Sequence, residues 1–244
     1  MITIRNLSKK FEGKTVLDDL TLQIEEGETM VIMGCSGCGK SVLLKLIIGL
    51  LKPDKGEIWI DGEEITQLTE KQMDHVRKKF GMVFQSSALF DSLTVGENVG
   101  FCLSRYTDMS RSQIARIVAE KLEMVGLDGI ENLMPAELSG GMKKRVSLAR
   151  AISMGPKIIL YDEPTTGLDP IRAEEINQLI AKLHDRLEVT SIVVTHDMKS
   201  AFHVATRMAM LHDKKIVAVG TAEEFRQTTQ PIVRQFVDIA SFSP

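Results

Sequence analysis

A chain of 244 residues, 43% hydrophobic and 26% charged, can bury a substantial core, which excludes a disordered or collagen-like polymer. A formal net charge of −3 gives no general pull toward nucleic acid or anionic lipid. Three cysteines are too few, and odd in number, for an extracellular disulfide scaffold of this size.

The opening stretch MITIRNLSKKF has no apolar secretory core, and no apolar run approaches the roughly 20 residues of a spanning helix. An intracellular chain is expected, with any membrane-spanning part supplied by other chains. ITIRNL and LTLQI alternate with period two and read as strands. ETMVIMG reads as a buried strand that runs directly into GCSGCGKS, residues 34–41. That stretch fits two chemistries. Cys35 and Cys38 form a Cys-x-x-Cys pair, as in redox or zinc sites, while the whole segment fits Gly-x-x-x-x-Gly-Lys-Ser, a loop that wraps phosphates.

The flanks decide for the phosphate loop, because a strand feeds it and a helix, KSVLLKLIIGL, leaves it. Gly34, Gly37 and Gly39 let the backbone turn so that the N–H groups of Cys35, Ser36, Cys38 and their neighbours point at anionic oxygens. The helix dipole favours the same charge. Lys40 is placed to reach β- and γ-phosphates, and the Ser41 hydroxyl to hold Mg²⁺. A structural zinc site usually takes four Cys or His ligands; beyond the pair the one other cysteine is Cys102, and none of the five histidines stands at ligand spacing to another. Oxidation of Cys35 and Cys38 to a disulfide stays open as a way to block nucleotide binding.

The helix is expected to end at Gly49, with Pro53 beyond it. GEIWIDG follows as a short strand, and GMVFQ as another, closed by Gln85. From about Ser92 to Arg150 a helical period takes over. SRSQIARIVAEKLEMVGL begins with a capping Ser110 and puts Ile114, Ile117, Val118, Leu122 and Val125 on one stripe. An all-helical insertion in an α/β domain follows. KIILYDE and TSIVVTH are continuous apolar runs, as in strands covered on both faces, with the amphipathic IRAEEINQLIAKLHDRL between them. The first ends in Asp162 and Glu163, carboxylates suited to a Mg²⁺ ligand and a base polarising water. The second ends in His196. Such strand ends are where open α/β sheets take ligands. The tail PIVRQFVDIASFSP spaces Ile232, Val233, Phe236 and Val237 helically, for packing on its own domain or on a partner.

With LSGGMKKRVSLARA, residues 138–151, the chain resembles the nucleotide-binding subunit of ABC transporters over nearly its full length. The resemblance implies an α/β P-loop NTPase core of ABC type with an antiparallel β subdomain and an all-helical subdomain insertion. In a single domain of 1–244, the core would comprise about 1–91 and 152–225, the helical subdomain about 92–151, and the tail 226–244. It also implies ATP and Mg²⁺ as ligands. Ser139, Gly140 and Gly141 would face the γ-phosphate of ATP bound by a second copy, with Asp169 in TTGLDP at the dimer seam. Gln85 resembles the residue that links Mg²⁺ and water to the membrane subunit, and His196 the histidine that touches the γ-phosphate. Phe11, in KKFEGK, sits where the family stacks an aromatic on adenine, although a core phenylalanine would read the same.

One phosphate loop and one LSGG segment per chain imply that two chains sandwich two ATP molecules. Met142, where the family usually has glutamine, together with FQSSALFDSLTVGENVGF and RQFVDIA, resembles the Mla/Mce branch, which moves lipids between membranes. That implies a multispanning permease, an MCE-domain lipid-binding protein, a small STAS-domain protein, and a place on the cytoplasmic face of the inner membrane. Gly96 and Gly100 stand where the permease contact is expected to carry bulkier residues. An importer ATPase for polar solutes such as amino acids shares every catalytic motif. A soluble ABC ATPase acting on DNA or ribosomes fits less well, given the acidic balance and the lack of a coiled-coil insertion or second cassette; no nucleic-acid partner is expected.

Overall fold

Strand β1 (Ile2–Phe11) turns through Glu12 and Gly13, both at positive φ, into β2 (Lys14–Ile24). A two-residue turn with both residues left-handed matches the twist of an antiparallel hairpin. β3 (Thr29–Met33) is buried at every position and leads into α1 (Lys40–Ile47), after which come β4 (Lys55–Ile60) and β5 (Glu63–Glu64). α2 (Glu70–Arg77) sends the Arg77 guanidinium to the carbonyls of Ile48 (3.4 Å) and Gly49 (2.9 Å), so it caps the end of α1. Gly49, at φ 69°, ends α1 where the sequence predicts; a Cβ there would collide with the Met73 methyl of α2.

Then follow β6 (Phe80–Val83), α3 (Val95–Tyr106), α4 (Arg111–Met124) and α5 (Gly140–Ile152). β7 (Ile158–Asp162) and α6 (Pro170–Leu187) come next. β8 (Thr190–Thr195), α7 (Met198–Val204), β9 (Arg207–His212), β10 (Lys215–Thr221), α8 (Ala222–Gln227) and α9 (Pro231–Ser241) complete the chain. This computed structural model describes residues 2–241, so positions 242–244 of the expected tail lie outside the described residues. The described chain gathers into two compact units: residues up to Arg77 with those from Val189 on, and Lys78–Glu188.

The first unit holds an antiparallel sheet in the order β2-β1-β4-β5. Beside it in sequence, β3 pairs in parallel with both β8 and β9, and β10 pairs antiparallel with β9. The β9–β10 turn, Asp213 and Lys214, is left-handed without a glycine. This hairpin therefore carries no Asn-Gly or Asp-Gly signal, and the sequence reading does not contain it. α9 packs on α7 and α8 with Val233 and Val237 buried, which satisfies the apolar tail spacing within its own unit.

The second unit pairs β6 with β7 in parallel and groups α3, α4 and α5 together. α4 begins where Ser110 predicts it: the Ser110 hydroxyl accepts from the Gln113 N–H at 3.3 Å, and the Gln113 side chain returns a bond to the Ser110 N–H at 2.8 Å. Its Val118, Leu122 and the following Val125 are buried, while Ile114 and Ile117 are half-buried. The helical stretch is not continuous to Arg150. Gly126 and Gly129 at positive φ, then a 3₁₀ turn over Pro135–Glu137, separate α4 from α5. Gly96 and Gly100 face inward: a Cβ on Gly100 would lie 3.0 Å from Ile114, and the Gly96 N–H donates to the Glu131 carbonyl at 2.8 Å. Gly100 thus lets α3 approach α4, and Gly96 lets the loop at Glu131 lie against α3.

Candidate nucleotide site

In the first unit the loop after β3 is shaped by its glycines. A Cβ on Gly34 would collide with the Leu211 carbonyl of β9 and lie 2.7 Å from the Cys38 sulfur. Gly37 (φ 77°) and Gly39 (φ 111°) are left-handed, and Gly39 caps α1 with no side-chain bond to the helix. A Cβ on Gly39 would lie 2.9 Å from Leu17 and 3.1 Å from Val16, so β2 forms the floor of the turn. The Cys38 N–H closes the loop onto the Cys35 carbonyl at 3.3 Å.

Lys40 is 5% exposed. Its ammonium donates to the carbonyls of Gly34 (2.9 Å) and Cys35 (3.1 Å), which places a cation against the loop it leaves. Cys35 is exposed, and burial pushes the Cys38 thiol up to about 11, against the pull of Lys40. Cys38 is thus a poor match for a low-pKa reactive thiol. Ser41 is half-buried at the second position of α1.

Phe11 ends β1 with its ring 40% exposed and the Lys9 ammonium 5.3 Å from the ring centre. A core role for Phe11 is excluded by that exposure. His196 is exposed just past β8, ahead of Asp197, whose carboxylate caps α7 by accepting from the N–H groups of Lys199 (3.1 Å) and Ser200 (3.3 Å).

In the second unit, β7 carries Asp162 as its last residue, buried among apolar neighbours. Glu163 is 7% exposed and left-handed at φ 48°. Such a conformation costs a non-glycine residue on the order of 1–2 kcal/mol, and such strain gathers at functional positions. The Thr166 hydroxyl donates to the Glu163 carboxylate at 3.3 Å, which orients it. Asp169 caps α6, accepting from the Arg172 N–H at 3.0 Å, with Pro170 at the first helical position. α5 starts at Ser139, whose hydroxyl accepts from the Met142 N–H at 3.3 Å; Ser139 and Gly140 are exposed.

Gln85 lies two residues past the end of β6, later than its expected place at the strand's close, and its side chain is exposed. Its carbonyl accepts from the Lys144 ammonium at 2.6 Å. Lys144 is missing from the sequence-based site, yet a signal existed: it shares a buried stripe of α5 with Ser147, Leu148 and Ala151, at helical spacings of three, four and seven. Burial lowers the Lys144 pKa, and the charges of Glu163 and Asp162 oppose that shift.

These groups suit a nucleotide and its metal. Left-handed glycines, a helix start and a buried ammonium form a cradle for phosphate oxygens. Hydroxyl, amide and carboxylate oxygens are the donors Mg²⁺ prefers. Among the described residues no three His, Cys, Asp or Glu gather as metal ligands.

Comparison with known proteins agrees with that chemistry. The family model for ABC transporters matches residues 17–166. The intermembrane phospholipid transport system ATP-binding protein MlaF of Haemophilus influenzae is 43% identical over 244 residues, spanning 100% of this chain and 92% of that protein. The probable ribonucleotide transport ATP-binding protein mkl of Mycobacterium leprae is 42% identical over 243 residues, spanning 100% and 70%. Among solved structures, the dimeric ATP-binding cassette MJ0796, in a post-hydrolysis state with ADP and Pi, aligns with a TM-score of 0.83 at 36% identity, over 91% of this chain and 99% of that one.

Proposed function

The chain belongs to the ABC transporter family and is an ATPase of that family, and from that premise we propose that its hydrolysis of ATP drives the movement of phospholipid or another lipid between membranes with an MCE-type system. The ATPase chemistry is carried by the buried Lys40 ammonium held at the mouth of a left-handed glycine loop. The lipid cargo is supported by likeness along the whole chain to MlaF, a phospholipid transport protein by name.

In the proposed site the N–H groups of Gly34, Cys35, Ser36, Gly37, Cys38 and Gly39 surround the β- and γ-phosphates. Lys40 exchanges its loop carbonyls for phosphate oxygens, and Phe11 stacks on adenine. Ser41, Asp162 and Gln85 would supply the hydroxyl, carboxylate and amide oxygens that hold Mg²⁺. When bound, the metal neutralises charge on the phosphates. Glu163 orients and polarises the attacking water, and His196 contacts the γ-phosphate.

Two copies of the chain would sandwich two ATP molecules, with Ser139, Gly140 and Gly141 of each facing the nucleotide of the other and Asp169 at the seam. Ile171, two residues past Asp169, is 75% exposed, as an apolar seam residue of an isolated chain should be. ATP closes this dimer and hydrolysis reopens it, and the helical subdomain over about 92–151 carries the motion to a multispanning permease. An MCE-domain protein and a small STAS-domain protein complete the complex on the cytoplasmic face of the inner membrane. No helix among the described residues is long and apolar enough to cross a membrane.

A polar solute as cargo has one supporting observation, the ribonucleotide transport named for the mycobacterial relative. Mass spectrometry of what co-purifies from native membrane in mild detergent separates the readings. An MCE-domain protein with a multispanning permease is the expected result. A solute-binding protein with a different permease would retire the lipid cargo and leave the ATPase intact. For the chemistry, Glu163→Gln should keep ATP binding, lower turnover by about 100-fold or more, and trap a stable dimer in size-exclusion chromatography. A monomeric, fully active Glu163→Gln would overturn the role given to this residue.

A further inference from the structure

Two cations of α5 seize the backbone of the loop that carries Gln85. The Lys144 ammonium donates to the Gln85 carbonyl at 2.6 Å, and the Arg150 guanidinium donates through Nη2 to the Ser87 carbonyl at 2.8 Å and through Nη1 to the Ala88 carbonyl at 2.7 Å. Between these bonds the chain is left-handed at consecutive non-glycine residues, Ser87 (φ 63°) and Ala88 (φ 45°). L-residues in that region need an external hold. The loop's far end is pinned independently: the buried Asn98 amide donates to the carbonyls of Phe90, Leu93 and Thr94 and accepts from the Phe90 N–H at 2.8 Å. Gly81 lets this arrangement form, since a Cβ on it would collide with the Ala151 carbonyl at the end of α5.

The two holds differ in chemistry. Asn98 sits on α3 and makes neutral bonds. Lys144 and Arg150 sit on the helix that starts at Ser139, and both are charged donors, which make the shorter and stronger bonds to carbonyls. Both must leave bulk water to reach the loop: Lys144 is 5% exposed, and burial lowers the pKa of Arg150 as well. Two partly desolvated cations that donate their hydrogen bonds to three main-chain oxygens of one loop indicate that the loop's shape is what those bonds serve.

We propose that Lys144 and Arg150 are positioning residues: by holding the backbone from Gln85 to Ala88, left-handed at Ser87 and Ala88, they fix where the Gln85 side chain is presented and tie it to the signature helix. A shift of α5 then moves Gln85 with it, so the helix start that would face the second nucleotide and the residue that would serve the first move as one body. The backbone clamp stands on geometry alone, whereas its effect on hydrolysis rests on the ATPase reading above.

The test uses the full chain with Lys144→Met, which keeps reach but removes charge and donor, Lys144→Arg, which restores both, and Arg150→Lys, which keeps charge but cannot hold both carbonyls. Amide hydrogen exchange reads the clamp. The Ser87 N–H, bonded to the Phe84 carbonyl at 3.0 Å, should exchange about tenfold faster in Lys144→Met and Arg150→Lys. The Phe90 N–H, held by Asn98, should not change. Turnover reads the positioning: kcat should fall by about tenfold or more in both variants with KM for ATP within about twofold, and Lys144→Arg should recover most of it. Unchanged Ser87 exchange in both variants would overturn the clamp, and a loosened loop with normal kcat would overturn the positioning role. Should Lys144→Met not fold, Arg150→Lys decides both points. A wild-type chain without ATP turnover would sink the ATPase reading instead, while the exchange data would still judge the clamp.

Discussion

Helices α1 and α5 begin in opposite ways. α1 starts from glycine in a left-handed conformation, with no side-chain cap, and its first residue, Lys40, folds back under cover onto the loop's own carbonyls. α5 starts from Ser139 in extended conformation, with an internal hydroxyl cap and exposed small residues, and its lysine lies a full turn in, turned to Gln85. Both are helix N-termini, and both carry the same dipole. One encloses a site with its own backbone and cation; the other is a flat, open surface whose charge-neutral start needs something brought to it. That contrast is the physical reason for proposing that the two starts meet one nucleotide from different chains.

The contrast can be broken or sharpened by mutation. The largest expected effect is at the enclosed start: Lys40→Ala should weaken ATP binding by roughly 10- to 100-fold, as expected for losing a charge-assisted contact, measured by isothermal titration. Unchanged affinity would mean that Lys40 serves only to shape its own loop. At the open start, Gly141→Asp should leave the affinity of a single chain for ATP within about threefold. It should abolish ATP-driven dimerisation, because a carboxylate would repel phosphate across the seam. Light scattering decides this, and a normal dimer would show that α5 does not face the nucleotide.

A smaller effect separates the two by stability. Gly39→Ala should cost about 2 kcal/mol, from the left-handed backbone and the close approach of Leu17 and Val16, read by chemical denaturation. The smallest effect is in thiol chemistry. With Cys35 and Cys102 replaced by serine, alkylation of Cys38 should stay slow near neutral pH and rise only in alkaline solution, because burial, the largest cause of its raised pKa, remains. Burial favours the neutral thiol, and the thiolate forms only above neutrality. Rapid alkylation near neutrality would mean the enclosed loop opens readily.

Much of this site was legible because its signals are local. The strand–Gly-rich loop–helix order around residues 34–41, the cap at Ser110 and the acidic end of β7 each depend on neighbours within a few residues, and each is where the sequence places it. The β9–β10 hairpin was not legible, because Asp213 and Lys214 adopt left-handed torsions that their residue types do not announce. The role of Lys144 was hidden for another reason. A lysine in a run of cations reads as a solvated helix face; its helical spacing to Ser147, Leu148 and Ala151 marks it as inward, but its partner, a carbonyl 59 positions away in the chain, is set by the fold.

The sequence by itself therefore determined the family and the ATPase activity, because phosphate wrapping is done by contiguous backbone and a helix start, which leave a local signal. Only the tertiary structure decided that Phe11 is exposed rather than core, that Gly100 lets α3 pack on α4 while Gly96 meets the loop at Glu131, and that Lys144 and Arg150 hold the Gln85 loop. Each of those outcomes depends on which distant groups meet. Exposure, close approach and carbonyl capture are properties of pairs far apart in sequence, and no local pattern of residue types encodes them.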